Sequence, residues 1–419
     1  MTEPLRVLLT ESVSASAREM VTVLTRQGHA VGVLEPRRDG LLSVTRRVRW
    51  RHPVPAFGSD PVGYLTALVE VLRRQHYDLV LPTHEQIAVL ARYPGELAGL
   101  GVAVAVPPFE SLARVQNKAE AVRLLTGLGV PQPDTEVVSS AGELRATGEF
   151  PCYVKLPVAT GSRGVWLVDG PRTLHQVADR PEVIDTFGRG WPVLVQRPVT
   201  GSFVLMQTVF DQGELVAAHA VRRVHEGVQG SAAAKESVSL PRLREHLAAL
   251  GAELRWHGAL SVDAIIGPDG VARVIDINPR LVEPVNAELA GADLVGRLLA
   301  VSRGDRPVPA PPGRTGVRTH MALMAVLRHG ELGHRRRDVA AELWNVLTGR
   351  GRYAGSTEEL LPARWDPPAA LPLLVVSAML LVNPRLWLRI AGATPSGMVL
   401  SPDAWQQLGS GNRQRSIPD

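Results

Sequence analysis

The segment that most restricts the fold is 259–278, ALSVDAIIGPDGVARVIDIN. Two alternating runs flank GPDG at 267–270, a strong turn signal, so the segment reads as an antiparallel hairpin. If Gly267 and Gly270 close the turn, Asp263 faces Val274 and Asp276 faces Ser261. Asp263 and Asp276 then share one face as diagonal neighbours, about 7–8 Å apart. Asn278 continues that face opposite Ala259, while Leu260, Val262, Ile266, Ile275 and Ile277 are assigned to a core. Two carboxylates and an amide on one face of adjacent strands are hard oxygen donors, suited to one or two Mg²⁺ ions bridging phosphates. A solvated sheet face alternates in the same way, so periodicity alone leaves both readings open. Asp269 reads as a turn residue.

Upstream, strands alternate with helices. Residues 5–11, 30–34, 78–83 and 102–106 read as strands, and 14–27, 62–76 and 85–93 as helices, which implies an open parallel α/β sheet. The first turn, TESVSAS, carries no dinucleotide fingerprint. Glu85 starts a helix near a strand's C-terminal end, where capping is its expected role. After a helix at 117–129 the pattern changes. From 152 to 280 it becomes α+β, with hairpin strands and one helix at 241–254. A Pro/Gly linker follows at 303–316.

The chain has 419 residues, 45% hydrophobic and 21% charged, with a formal charge of +5. That composition excludes wholesale disorder. The single Cys152 excludes an intrachain disulfide framework and a cysteine-cluster metal site. The N-terminus does not read as a signal peptide, and no apolar run reaches the length of a membrane span. Only three of the 46 basic residues are lysines: Lys118, Lys155 and Lys235. The arginine knots at 46–51 and 335–337 read as solvated faces or local anion contacts, so no nucleic-acid partner is expected. Lys155 lies on a strand just before ATGSRGV, where Gly161, Ser162 and Gly164 form a loop whose N–H groups can cradle phosphate.

These ordered motifs resemble the ATP-grasp superfamily over roughly residues 1–300, in the manner of D-alanine–D-alanine ligases and carbamoyl phosphate synthetase ATP-grasp domains. NKAEAVRLLTGLGVPQPDT resembles its entry helix, YVKLPVATGSRGV its second lysine and phosphate loop, VLVQRPVTG its hinge, and VDAIIGPDGVARVIDINPR its metal hairpin. The implied fold is a three-layer α/β pre-ATP-grasp domain (1–113), then an ATP-grasp domain (114–302) of two α+β subdomains, about 114–196 and 197–302. A C-terminal extension (303–419) completes the chain. The resemblance implies ATP and Mg²⁺ (or Mn²⁺) as cofactors. It implies nucleotide contacts from Lys118, Lys155, Gly161, Ser162, Gly164, Gln196 and Val199, and metal ligation by Asp263, Asp276 and Asn278, while Lys235 reads either as a further nucleotide contact or as a loop lysine. Arg280 and Lys155 take the catalytic positions. Arg222 and Arg223 are candidates for phosphate or substrate carboxylate, whereas His225, His257 and Cys152 read as structural.

Three residues depart from the family pattern. Asp276 replaces a glutamate and is shorter by one methylene, about 1.5 Å. Gln196 replaces the hinge acid, and Phe203 stands where a ribose-binding glutamate follows the hinge glycine. The implied activity is an ATP-dependent ligase that converts a carboxylate to an acyl-phosphate and joins it to an amine. The alternatives are a non-catalytic ATP sensor or scaffold, and a biotin-carboxylase-like enzyme whose biotin sits on a separate chain. Small-molecule carboxylate and amine partners and a cytoplasmic location are expected, with a homodimer left open. AALPLLVVSAMLLV (369–382) and the Arg/Trp-containing stretch after it, to about residue 391, read either as a buried capping helix or as a peripheral contact with the inner membrane face.

Overall fold

The computed structural model describes residues 3–159, 164–333, 335–388 and 399–410. The first sheet is built from β1 (Arg6–Leu9), β2 (Ala30–Glu35), β3 (Val48–Pro53) and β4 (Leu79–Leu81), all parallel, in the order β3-β2-β1-β4. β1, β2 and β4 are largely apolar on both faces, as strands covered by helices on both sides require, whereas the edge strand β3 is only half-buried. Val7, Leu9, Val31 and Val33 pack with Ala17, Val21 and Leu24 of the helix Ala15–Arg26. Leu8 and Leu34 pack on the other side with Tyr64, Leu65 and Leu68 of the helix Pro61–Arg74. Ser14 caps the first helix by accepting from the Ala17 N–H, and Asp60 caps the second through Gly63.

Two expectations change here. Residues 102–106 form no ladder strand. They make one parallel bridge, Ala103 to Leu79, because Pro107 and Pro108 follow at once and prolines supply no N–H to a ladder. The arginine knot, conversely, contains β3. Arg51 donates to Glu35 at 3.0 Å, and Arg47 and Arg49 stack over Trp365 and Trp50 at 4.2 and 4.9 Å. The knot is thus largely spent on internal contacts.

The second sheet holds β5 (Thr135–Val138), β6 (Cys152–Lys155), β7 (Val165–Val168) and β8 (Val193–Gln196), antiparallel in the order β5-β8-β6-β7. The third holds β9 (Ser202–Asp211), β10 (Glu214–Glu226), β11 (Ala232–Val238), β12 (Gly258–Ile266), β13 (Ala272–Asn278), β14 (Arg318–His320) and β15 (Thr357–Glu358). Its order is β13-β12-β9-β10-β11-β14-β15. The helix Pro241–Leu254 lies where the sequence puts it and buries Leu243, Leu247, Leu250 and Leu254. Gly251 is required there: a Cβ would sit 2.1 Å from the Phe210 ring.

The segment 303–419, expected as an extension, supplies two strands of that large sheet. Its helices Ala322–Glu331, Arg336–Thr348 and Ala370–Val382 share a core with Val228, Ala233 and Tyr353. Arg18 and Asp366 form a fully buried ion pair at 3.0 Å that fastens this part to the first helix. Trp387, in the stretch read either as a buried cap or as a membrane contact, packs against Gly330 and the same core, and residues 389–391 of that stretch lie outside the described residues. Among the described residues no helix is long and apolar enough to cross a membrane.

Candidate functional site

The hairpin β12–β13 forms as its sequence requires, with a different register. The turn closes between Gly267 and Val271, through Gly267 N–H to the Val271 carbonyl at 3.1 Å and Gly270 N–H to the Gly267 carbonyl at 3.0 Å. Asp269 accepts from the Val271 N–H and pairs with Arg273, confirming its turn role. Ala264 pairs with Val274, but the next pair is Asp263 with Asp276, leaving Ile275 as the extra residue of a bulge. Asp263 and Asp276 are therefore direct cross-strand partners rather than diagonal neighbours, and Ser261 rather than Ala259 faces Asn278.

The bulge brings in the lysines. Lys155, at the end of β6, donates to the Ile275 carbonyl at 3.2 Å. Lys118 opens the helix Lys118–Gly127, which Asn117 caps by accepting from the Ala119 and Glu120 N–H groups. Its Nζ donates to Asp276 Oδ1 at 2.5 Å. Two residues far apart in sequence thus converge on one hairpin.

The electrostatics follow from burial. Desolvation lowers the Lys155 pKa to about 8, against the opposing pull of Asp276. Burial, then the facing Asp276, raises Asp263 to about 7. Burial also disfavours the charge on Arg280, while Glu85, Asp263, Asp276 and Glu11 support it. Arg280 Nε is buried with no hydrogen-bond partner among the described residues. Its backbone is fixed, because its carbonyl accepts from Ser261 Oγ at 2.6 Å.

Arg280 links the hairpin to the C-terminal ends of β1 and β4, where the strand order of the first sheet reverses, a usual ligand position in open α/β sheets. Glu11 there is fully buried and accepts from Ser14 N–H at 3.0 Å and Thr83 Oγ1 at 3.2 Å. Glu85 accepts from the Leu400 N–H at 2.7 Å, so its contacts reach beyond helix capping. Sequence reasoning did not find Glu11. Its signal was a carboxylate just past β1.

At the hinge, Gln196 ends β8, is 5% exposed, and donates Nε2 to Thr135 Oγ1 at 3.0 Å. Val199 lies half-buried in the link to β9. Phe203 is covered by the Arg223 guanidinium at 4.6 Å from the ring centre, and Arg222 pairs with Glu236 at 3.5 Å. Gly164 holds a positive φ of 66° and accepts from the Leu156 N–H at 2.8 Å. Gly161 and Ser162 lie outside the described residues.

Lys235 requires a correction. It is a β11 residue, 1% exposed, and not a loop lysine reaching toward triphosphate. It forms ion pairs with Glu283 and Glu359. Burial alone would lower its pKa, but Glu283, Glu359 and Glu19 hold it above the usual lysine value. Glu283 also faces the Asp263 charge, so this buried cluster adjoins the hairpin. Glu283 was missed as well, although it stands three residues past Arg280.

The donor set fits a hard divalent cation in part. Asp263 and Asp276 facing each other, with Asn278 along β13, supply the oxygen chemistry. Among the described residues no three His, Cys, Asp or Glu side chains converge on a metal-sized space. The remaining ligands would come from Asn278, nucleotide phosphates and water, which is how Mg²⁺ is commonly held.

One pH dependence follows. The positive charge on Lys155 is nearly full at about pH 7 and below, and is lost as pH rises through about 8. Triphosphate affinity, measured by calorimetry, is expected to fall about tenfold between about pH 7 and about pH 9.5. Lys155→Arg should flatten the profile. A profile equally steep in the variant would remove Lys155 as its cause.

No family model matches the chain. Solved structures do. The biotin carboxylase domain of 2-oxoglutarate carboxylase from Hydrogenobacter thermophilus, a dimer in complex with MgADP, ADP and bicarbonate, is 16% identical, with a TM-score of 0.59 over 76% of this chain and 74% of that one. N5-carboxyaminoimidazole synthetase from Staphylococcus aureus, complexed with ADP, is 12% identical, with a TM-score of 0.58 over 80% of this chain and 87% of that one. L-amino acid ligase from Bacillus licheniformis is 16% identical, with a TM-score of 0.53 over 72% of this chain and 75% of that one. At these identities the likeness is one of fold.

Proposed function

We infer that this chain, which has the ATP-grasp fold, is an ADP-forming carboxylate–amine ligase. The observation that carries the reading is the convergence of Lys118, Lys155 and Arg280 on the facing carboxylates Asp263 and Asp276. Fixed cations beside paired oxygen donors suit a triphosphate whose charge grows during phosphoryl transfer.

Lys118 and Lys155 hold the phosphates in this scheme. Gln196 commits its Nε2 to Thr135, leaving Oε1 to accept from the adenine amino group, and the backbone at Val199 completes the hinge. Asp263, Asp276 and Asn278 would hold Mg²⁺ or Mn²⁺, which would supply positive charge against the triphosphate. Arg280, whose buried Nε has no partner among the described residues, orients the substrate carboxylate. A carboxylate oxygen bonds to the γ-phosphorus as the bond to ADP breaks, giving an acyl-phosphate. The amine nitrogen then bonds to the acyl carbon, phosphate leaves and the amine gives up a proton. The hairpin and the β1 and β4 ends bracket this chemistry, and Arg280 faces charges from both.

The test is ADP release across a matrix of carboxylates and amines. ADP and phosphate are expected only when both a carboxylate and an amine are present. ATP binding without ADP from any pair would overturn the ligase reading in favour of a sensor, which the Phe203–Arg223 stack at the ribose position would suit. ADP release with bicarbonate and a biotinylated acceptor, and with no other pair, would assign a carboxylase instead.

A further inference from the structure

We propose that the outer face of the C-terminal helices docks on an anionic lipid surface. Thirteen large hydrophobic side chains are exposed among the described residues, and eight of them fall within 335–388. The helix Ala370–Val382 buries Leu373, Val376, Ser377 and Leu380 against the protein. Its exposed stripe is Leu371, Leu374, Val375, Ala378 and Val382, spaced as one helical face and without a polar residue. The helix Arg336–Thr348 packs beside it and likewise exposes Ala340, Ala341, Trp344 and Leu347. A contiguous apolar surface of this kind marks an interaction site.

Charge identifies the occupant. The exposed charged side chains among the described residues of 335–388 are arginines, including Arg336, Arg337, Arg350 and Arg385, apart from Asp338, whose partly exposed carboxylate lies beside Arg337. The acids of this stretch all have partners within the chain. Asp338 accepts from the Arg335 N–H, Glu342 from Tyr353 and Glu358 from Ala322, while Glu359 pairs with Lys235 and Asp366 with Arg18. Arg337 shares the outer helical face with Trp344, and Arg350 lies over the Trp344 ring at 5.9 Å. Apolar side chains and tryptophan bordered by an excess of cations, the one partly exposed acid Asp338 being paired with Arg337, match a bilayer interface carrying negative headgroups. A second copy would set arginines against arginines, and a nucleic acid would leave the Leu/Val stripe without a partner. The helix has 13 residues, short of the roughly 20 needed to span, so it lies in the surface plane. This inference does not depend on the ligase reading.

Full-length protein is mixed with vesicles of phosphatidylcholine alone, or of phosphatidylcholine and phosphatidylglycerol in equal parts, and sedimented. Binding to the anionic vesicles is expected to exceed binding to the neutral ones by about tenfold or more and to weaken with salt. Leu374→Glu with Val382→Glu is expected to abolish it. Both residues are exposed, so the melting temperature should hold. Arg336→Glu with Arg337→Glu serves as the second variant if it does not. Failure of the parent protein to sediment with anionic vesicles, or equal binding by both variants, would overturn the proposal. So would self-association in sedimentation velocity that the Leu374/Val382 variant removes, since that gives the face to a second copy.

Discussion

Asp263→Asn is expected to lower ATP-dependent ADP release about a thousandfold while leaving the fold intact, with the decrease in kcat rather than in nucleotide KM. The amide keeps the shape of the side chain but halves the negative charge that the facing pair offers a divalent ion. The same change should not weaken the metal-free protein. Asp263 and Asp276 are direct partners across β12 and β13, so neutralising one relieves a like-charge contact. The variant in chelator is therefore expected to melt at or above the parent temperature. A variant that turns over normally would remove Asp263 from the site. One that melts well below the parent would mark Asp263 as structural. Steady-state kinetics and a thermal melt on one preparation distinguish these results.

Lys235→Met is expected to have the largest effect on stability. Lys235 is 1% exposed and sits among Glu283, Glu359 and Glu19. Removing it leaves buried carboxylates without their cation, a loss of about 3–5 kcal/mol, a large share of the roughly 5–15 kcal/mol that holds a domain folded. Burial raises the pKa of Glu359 to about 7 and raises that of Glu19 well above the usual range, in each case partly offset by Lys235. A carboxylate with a raised folded-state pKa favours the folded state at low pH and loses that advantage as pH climbs through its folded value. The gap between variant and parent should thus be widest above about pH 7 and narrow toward about pH 5. Adding Glu359→Gln should recover part of the loss at neutral pH. Denaturant melts of the three proteins across that pH range check both the size and the sign. A Lys235→Met protein as stable as the parent would show that the charge cluster contributes nothing net.

What the sequence made legible was local. The pattern at 14–27 marked the first helix, GPDG marked the hairpin, and the pattern at 241–254 marked its helix to the residue. What escaped it was set by distant partners. The bulge at Ile275 moves Asp263 opposite Asp276, and the carbonyl it displaces meets Lys155, 120 residues earlier in the chain. No turn rule contains that contact. Lys235 reads as a loop lysine because its counter-ions, Glu283 and Glu359, lie on other elements. β3 was hidden because arginines alternate with Val48 and Trp50, and their stacking partners, such as Trp365, lie far along the chain. The candidate site was therefore legible as a set of residue types. Its geometry depended on a register that tertiary contacts decide.

The buried pair of Arg18 and Asp366 also bears on how the chain is made. The two residues are 348 positions apart, so a ribosome releases the first helix long before it supplies the counter-charge that helix buries. Until then Arg18 has its neighbour Thr22 to donate to, but not its ion-pair partner. The N-terminal sheet can form in outline early in synthesis, whereas the finished packing of its first helix waits for the last fifth of the chain. Nascent chains stopped before residue 366 are thereby left with a solvent-seeking guanidinium that lacks the counter-ion it is buried with.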